Sequence, residues 1–156
     1  MTEHLLSDRL AIVSVIDPDD FASGTTTGDV IDMRMHRNLM FVVMAGDLAT
    51  STTIDLKVTE STASGGTFVP ISGKSITQIT EASSTQDDSQ SIINLRADEL
   101  STGYRFVKAR LVIAGATNGG VKSGVAVLTL AGHSRYSDAV SSTTFGDLAS
   151  VKEIVA

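Results

Sequence analysis

Apolar residues in this chain come in runs of strand length, each closed within a few residues by glycine, serine, threonine, asparagine or aspartate. A helix needs apolar residues spaced three and four apart over at least three turns, whereas short runs and period-two alternation between turn-formers specify strands. The chain is therefore expected to be all-β. Leu10 to Ile16 is nearly continuous in apolar residues and ends at Asp17-Pro18-Asp19-Asp20, where Pro18 lacks a backbone donor and the aspartates favour a turn. Phe21 to Gly28 reads as a long loop. From Asp29 to Met35, Ile31, Met33 and Met35 alternate with Val30, Asp32 and Arg34, the pattern of a half-buried strand.

Leu39 to Met44 is apolar on both faces, as in a central strand covered on each side by the opposite sheet and by a neighbouring subunit or capping loop. Thr53 to Thr59 alternates cleanly. Ala63-Ser64-Gly65-Gly66 can turn it back into Thr67 to Ile71 as a hairpin, and Lys74 to Thr80 continues the sheet after a bend at Gly73. After the polar stretch Glu81 to Ser91 comes the short run Ile92-Ile93-Asn94-Leu95, then Ala97 to Leu100 as a single helical turn. The last long pair, Tyr104 to Ile113 and Val121 to Ala131, reads as a hairpin through Asn118-Gly119-Gly120 in the middle of a sheet. Beyond Tyr136 the residues are small and polar until Phe145. Leu148, Val151, Ile154 and Val155 then recur at helical spacing, a segment too short to be stable unless it docks.

About eight strands in 156 residues fit one antiparallel β-sandwich of jelly-roll type. The expected organisation is an N-terminal arm over 1–10, the sandwich over 11–135 and a C-terminal tail or short helix over 136–156.

Composition narrows the function. Eighteen acidic against twelve basic residues leave a formal charge of −6, which repels a phosphate backbone, and no basic patch in the sequence offsets it; nucleic acid is not an expected partner. No apolar run nears the ~20 residues needed to cross a bilayer, so a membrane is not expected either. Met1-Thr2-Glu3-His4 has neither the basic start nor the apolar core of a signal peptide, and cysteine is absent, both consistent with synthesis in a reducing cytoplasm. Aromatic residues are 4% with no tryptophan, which disfavours sugar- or base-stacking platforms.

Sites for chemistry are sparse. His4, His36 and His133 are far apart and form no local ligand pattern; there is no G-x-S-x-G elbow. Gly73-Lys74-Ser75 imitates the end of a phosphate-binding loop, but Phe68 occupies the position of its first glycine. Asp17, Asp19, Asp20 and the Asp87-Asp88 pair lack calcium-loop spacing and read as strand terminators. Met33, Met35, Met40 and Met44 fill a core or an adaptable contact surface. The sequence thus predicts no catalytic residues, no metal and no cofactor.

Leu5-Leu6-Ser7-Asp8-Arg9-Leu10, then Ile12 to Pro18 and Gly28 to Met33, together resemble the start of small head proteins of tailed bacteriophages and prophages. Tyr104 to Arg110, the glycine-rich turn, and Val125 to Leu128 leading into Gly132-His133-Ser134-Arg135-Tyr136 resemble the end of the same family. The resemblance is one of layout and hydrophobic rhythm over most of the chain. It implies a capsid decoration or cement protein, a β-sandwich that binds the outer surface of a shell and stabilises the lattice of the major capsid protein. Synthesis in the host cytoplasm, a place on the virion exterior and a homodimer or homotrimer are the corresponding expectations. Capsid or subunit contacts are then expected at Leu5, Leu6, Arg9 and Leu10 of the arm, Phe21 of the first loop, and Tyr136, Phe145, Leu148, Val151 and Ile154 of the tail. A phage-fibre or carbohydrate-binding host-recognition module is the competing function on the same fold, and a hydrolase assembled from distant loops is a third.

Overall fold

The computed structural model describes residues 10–81, 88–115 and 124–132. The arm residues Leu5, Leu6 and Arg9, the turn at Asn118 to Gly120, and the tail residues Tyr136, Phe145, Leu148, Val151 and Ile154 lie outside them.

Ten strands form two antiparallel sheets. They are β1 (Leu10–Asp20), β2 (Gly24–Thr27), β3 (Ile31–Asp32), β4 (Asn38–Ala45), β5 (Thr53–Ser61), β6 (Val69–Ser75), β7 (Ile79–Thr80), β8 (Gln90–Arg96), β9 (Phe106–Ala114) and β10 (Gly124–Gly132). One sheet, here sheet A, has the order β1-β10-β4-β8; sheet B has β2-β9-β5-β6, with β3 also on β9 and β7 also on β5. Taking β2 with β3 and β6 with β7 as two interrupted strands leaves eight. The chain changes sheet at every connection between these except β5 to β6, which is jelly-roll topology; the all-β antiparallel sandwich is as the sequence predicted.

Alternation builds the core. Phe41, Val43, Leu95, Val125 and Val127 of sheet A and Ile54, Leu56, Val58, Val107 and Leu111 of sheet B are all buried in one cluster. Phe41, with no exposed surface, is the largest of them. Glu60 is buried too, and its carboxylate accepts hydrogen bonds from the Ser101 N–H (3.0 Å) and hydroxyl (2.5 Å). Gly115 sits at φ +80° with its α-carbon so close to Ser51 that a Cβ would lie 1.9 Å from the Ser51 carbonyl oxygen.

Four expectations change. Tyr104–Ile113 and Val121–Ala131 do not pair as a hairpin: β9 is central in sheet B and β10 central in sheet A. Outer-face polarity accounts for the sorting. The mixed outer face of β9, with Val112, Arg110 and Lys108, lies beside Asp55, Lys57 and Thr59 of β5, whereas Ala126, Leu128 and Leu130 of β10 lie beside the equally apolar β4. The loop Phe21 to Gly28 contains β2, whose β-branched threonines pair with β9. The strand expected over Asp29 to Met35 is only Ile31–Asp32. The Asp32 carboxylate accepts from the Arg34 N–H (3.0 Å), and the Met35 N–H donates to the Asp32 carbonyl (3.0 Å), so the backbone turns there. Finally, β1 runs past Ile16 to Asp20, absorbing Pro18 in a register shift between Ile16 and Asp19.

Asp32 also holds the far end of the sandwich. Its two oxygens take the Arg105 guanidinium in a fork, with Nε donating at 2.8 Å, and Arg105 lies 4.6 Å over the Phe106 ring. The hydrogen bond from Arg105 holds the Asp32 carboxyl below its ordinary value of 3.8, outweighing partial desolvation. A depressed folded-state value means stability fully present above the unfolded value and lost as pH falls through the folded one.

Two outcomes follow. Phe41→Ala lowers unfolding free energy by about 3–5 kcal/mol, read from urea transitions with unchanged slope. Asp32→Asn flattens the loss of stability below about pH 4 relative to wild type; parallel acid limbs in the two proteins would contradict the role given to this pair.

Candidate functional site

The two outer faces of the sandwich differ in chemistry. On sheet B the outward residues are mostly polar: Thr25 and Asp55 flank Val112, and Thr27 and Lys57 flank Arg110. Gln78 donates to Asp55 at 2.7 Å, and the Lys108 ammonium lies 4.2 Å over the Phe68 ring. Such a face is stable in water.

Sheet A presents the opposite. Register places Ile12, Leu130, Met40 and Asn94 in one row across all four strands, and Val15, Leu128, Val42 and Ile92 in the next. A third row holds Ala126, Met44 and Gln90. These residues are all uncharged; on β1 the third row ends in the Asp17-Pro18 bulge opposite Ala126. Met44 is 40% and Ile92 58% exposed, and the remaining apolar members are half-buried by their neighbours in the sheet. A groove of about 410 Å³ runs along the same face between Val15, Pro18, Met44, Gly124, Ala126 and Leu128. Every described strand belongs either to sheet A or to the sheet behind it, so the described strands supply no layer over this face.

Charge collects at the ends of the face. Asp17, Asp19 and Asp20 close β1, Asp47 follows β4 and Asp88 precedes β8, all exposed and all at one end. Asn38 and Arg96 pair at the other end, next to exposed Arg37. Arg96 meets Asp98 at 3.2 Å, but both side chains are well over half exposed, so the pair is weak. Nearby, Lys74 donates to the Asn94 carbonyl (2.8 Å) and pairs with Glu99 (2.8 Å), whose carboxyl is held below its ordinary range by the Lys74 hydrogen bond and by the Arg96 N–H. Gly73-Lys74-Ser75 is thus part of strand β6, with Gly73 at φ +74°.

Of the residues singled out from sequence as contacts, two are described. Leu10 is 40% exposed at the start of β1, paired with Gly132 on the edge of the apolar face. Phe21 is half-buried and packs against the core. The apolar face itself had a legible signal in Leu39 to Met44 and Val125 to Leu128, both apolar on alternate residues in each direction. Ile12, Val15 and Ile92 were not singled out, because membership of one surface depends on register between strands distant in sequence. Of the histidines, His36 is buried, and His4 and His133 lie outside the described residues. Among the described residues no three His, Cys, Asp or Glu side chains converge as a metal site. Of the four methionines between residues 33 and 44, Met33 is buried, Met35 exposed in the turn, and Met40 and Met44 stand on the apolar face.

Ile92 and Ile93 test the assignment of faces directly. Ile92→Asp changes unfolding free energy by no more than about 1 kcal/mol, while Ile93→Ala costs about 2–5 kcal/mol. Equal losses in chemical denaturation would mean that the outer face is itself core.

No protein-family model matches the sequence, and no curated protein matches it. Four chains of solved structures are similar to it. One of them, the structure of Eiger TNF from S. frugiperda, is 14% identical over 85% of this chain and 90% of that one, with a TM-score of 0.31, a likeness that carries no argument about fold or function.

Proposed function

We propose that this chain is a virion structural protein of a tailed bacteriophage that binds the outer surface of the capsid and stabilises the lattice of the major capsid protein. The observation that supports adhesion is the uncharged apolar face of sheet A on a sandwich whose other outer face is solvated. An apolar sheet face of this extent is costly in water and favours burial against protein. Four strands about 4.8 Å apart and six residue steps of about 3.3 Å give a footprint of roughly 400 Å². At about 25 cal/mol/Å² its burial returns on the order of 10 kcal/mol, which is comparable to the ~4–15 kcal/mol cost of association. A single contact of this kind is weak. Repeated over a lattice, a ligand that binds only the assembled shell stabilises that shell by its summed binding free energy. The arm Met1 to Leu10, the loop Asp17 to Gly28 and the tail Tyr136 to Ala156 are the segments proposed for capsid or subunit contact, with the protein made in the host cytoplasm and carried on the virion exterior.

The test is to locate the protein in purified virions, strip it, and add it back while measuring thermal release of the genome. Release is expected at lower temperature from stripped capsids and to recover on re-addition. Recovery of the protein from tails with full stability in its absence would refute cementing. Specific attachment of the isolated protein to host cells or glycans would instead support the host-recognition function.

A further inference from the structure

Resting on the reading of the apolar face as a protein contact, we infer that its occupant is a second copy of this chain, packed face to face about a twofold axis perpendicular to the strands. Across β10, β4 and β8 the three central rows carry no charge, so this part of the face is its own chemical complement and sets no unpaired ion against itself. Its ends are not neutral. Asp17, Asp19, Asp20, Asp47 and Asp88 stand at one end, where sheet A has no described lysine or arginine, and Arg37 and Arg96 stand at the other. Asp98 and Glu99 share the second end, the first weakly paired with Arg96 at 3.2 Å and the second held by Lys74.

This distribution selects the axis. A twofold parallel to the strands would stack aspartates on aspartates. A twofold perpendicular to them lays β4 over β4 and β8 over β8 in opposite directions, bringing Arg37 toward Asp47 of the second copy and Arg96 toward Asp88 of the second copy. Two apolar sheets stack in this way about 10 Å apart, with strand directions within about 30°. The footprint of roughly 400 Å² per copy is about half that of a standard stable interface, so the dimer dissociates on dilution. A second copy and the capsid therefore compete for this one face, and a dimer that dissociates on dilution releases it for the capsid.

Sedimentation of the full chain over a dilution series reads the inference. Wild type is expected to pass from dimer to monomer, and Val42→Asp to weaken pairing by about 100-fold, since a buried unpaired charge enters the centre of the contact. Ile92→Asp, at a site with more than half its surface exposed, serves if Val42→Asp does not fold. Arg37→Glu and Asp47→Lys should each weaken pairing several-fold, and the double variant should restore it. A chain monomeric at every concentration, or a double variant no better than either single, overturns the inference. Binding to stripped capsids separates it from the cement reading. A monomer whose capsid binding is lost in Ile92→Asp refutes self-pairing and keeps cementing; a dimer broken by Ile92→Asp that never binds a capsid keeps self-pairing and refutes cementing.

Discussion

Closure of two sheets over one dry interior is the constraint from which the rest of this molecule follows. Phe41 and Val43 from one sheet and Leu56, Val58 and Leu111 from the other are all buried, and no disulfide or metal shares the task among the described residues. Once the inward positions are spent on that interior, period-two geometry leaves every second residue facing out. The outward residues are then free to differ between sheets, and they do. Threonine, lysine and arginine hold sheet B in water, while leucine, valine, isoleucine and methionine cover sheet A. In sheet A the residues that stabilise the fold and those of the proposed contact therefore sit on opposite faces of the same strands.

Much of the architecture was legible because it is local. The alternation of Ile54, Leu56 and Val58 marks one buried face without reference to any other strand. Gly65-Gly66 marks the return into β6, and Ala97 to Glu99 forms the expected helical turn. What escaped depends on distant pairing. Threonines 25 to 27 form a strand only because the edge of β9 is there to receive them, and Asp32 ends β3 through its own side chain and its bond to Arg105, 73 residues away. The β9 and β10 hairpin is the instructive case. Two long apolar arms around a glycine turn satisfy the local rule, yet the outward face of each matches a different sheet.

The candidate surface was partly visible for the same reason. A run apolar in both directions, such as Leu39 to Met44, predicts a second cover before any fold is known. That Val15, Leu128, Val42 and Ile92 form one row across the sheet is a fact of register, which no single segment encodes. The contacts expected from family resemblance fall almost wholly on the chain ends, outside the described residues, so surface and resemblance address different parts of the protein.

The position of β1 has a consequence for biosynthesis. Its hydrogen-bonded neighbour in the sheet is β10, the last strand described, so Leu10 finds Gly132 only after more than a hundred intervening residues have left the ribosome. Until then β1 is an unpaired apolar ribbon, and β4 lacks the neighbour that β10 provides. Loop closure over such a separation slows folding and prolongs exposure of sticky edges. A nascent chain halted before β10 holds the other described strands yet has no completed sheet A, so the edges of β1 and β4 stay open until that strand is made.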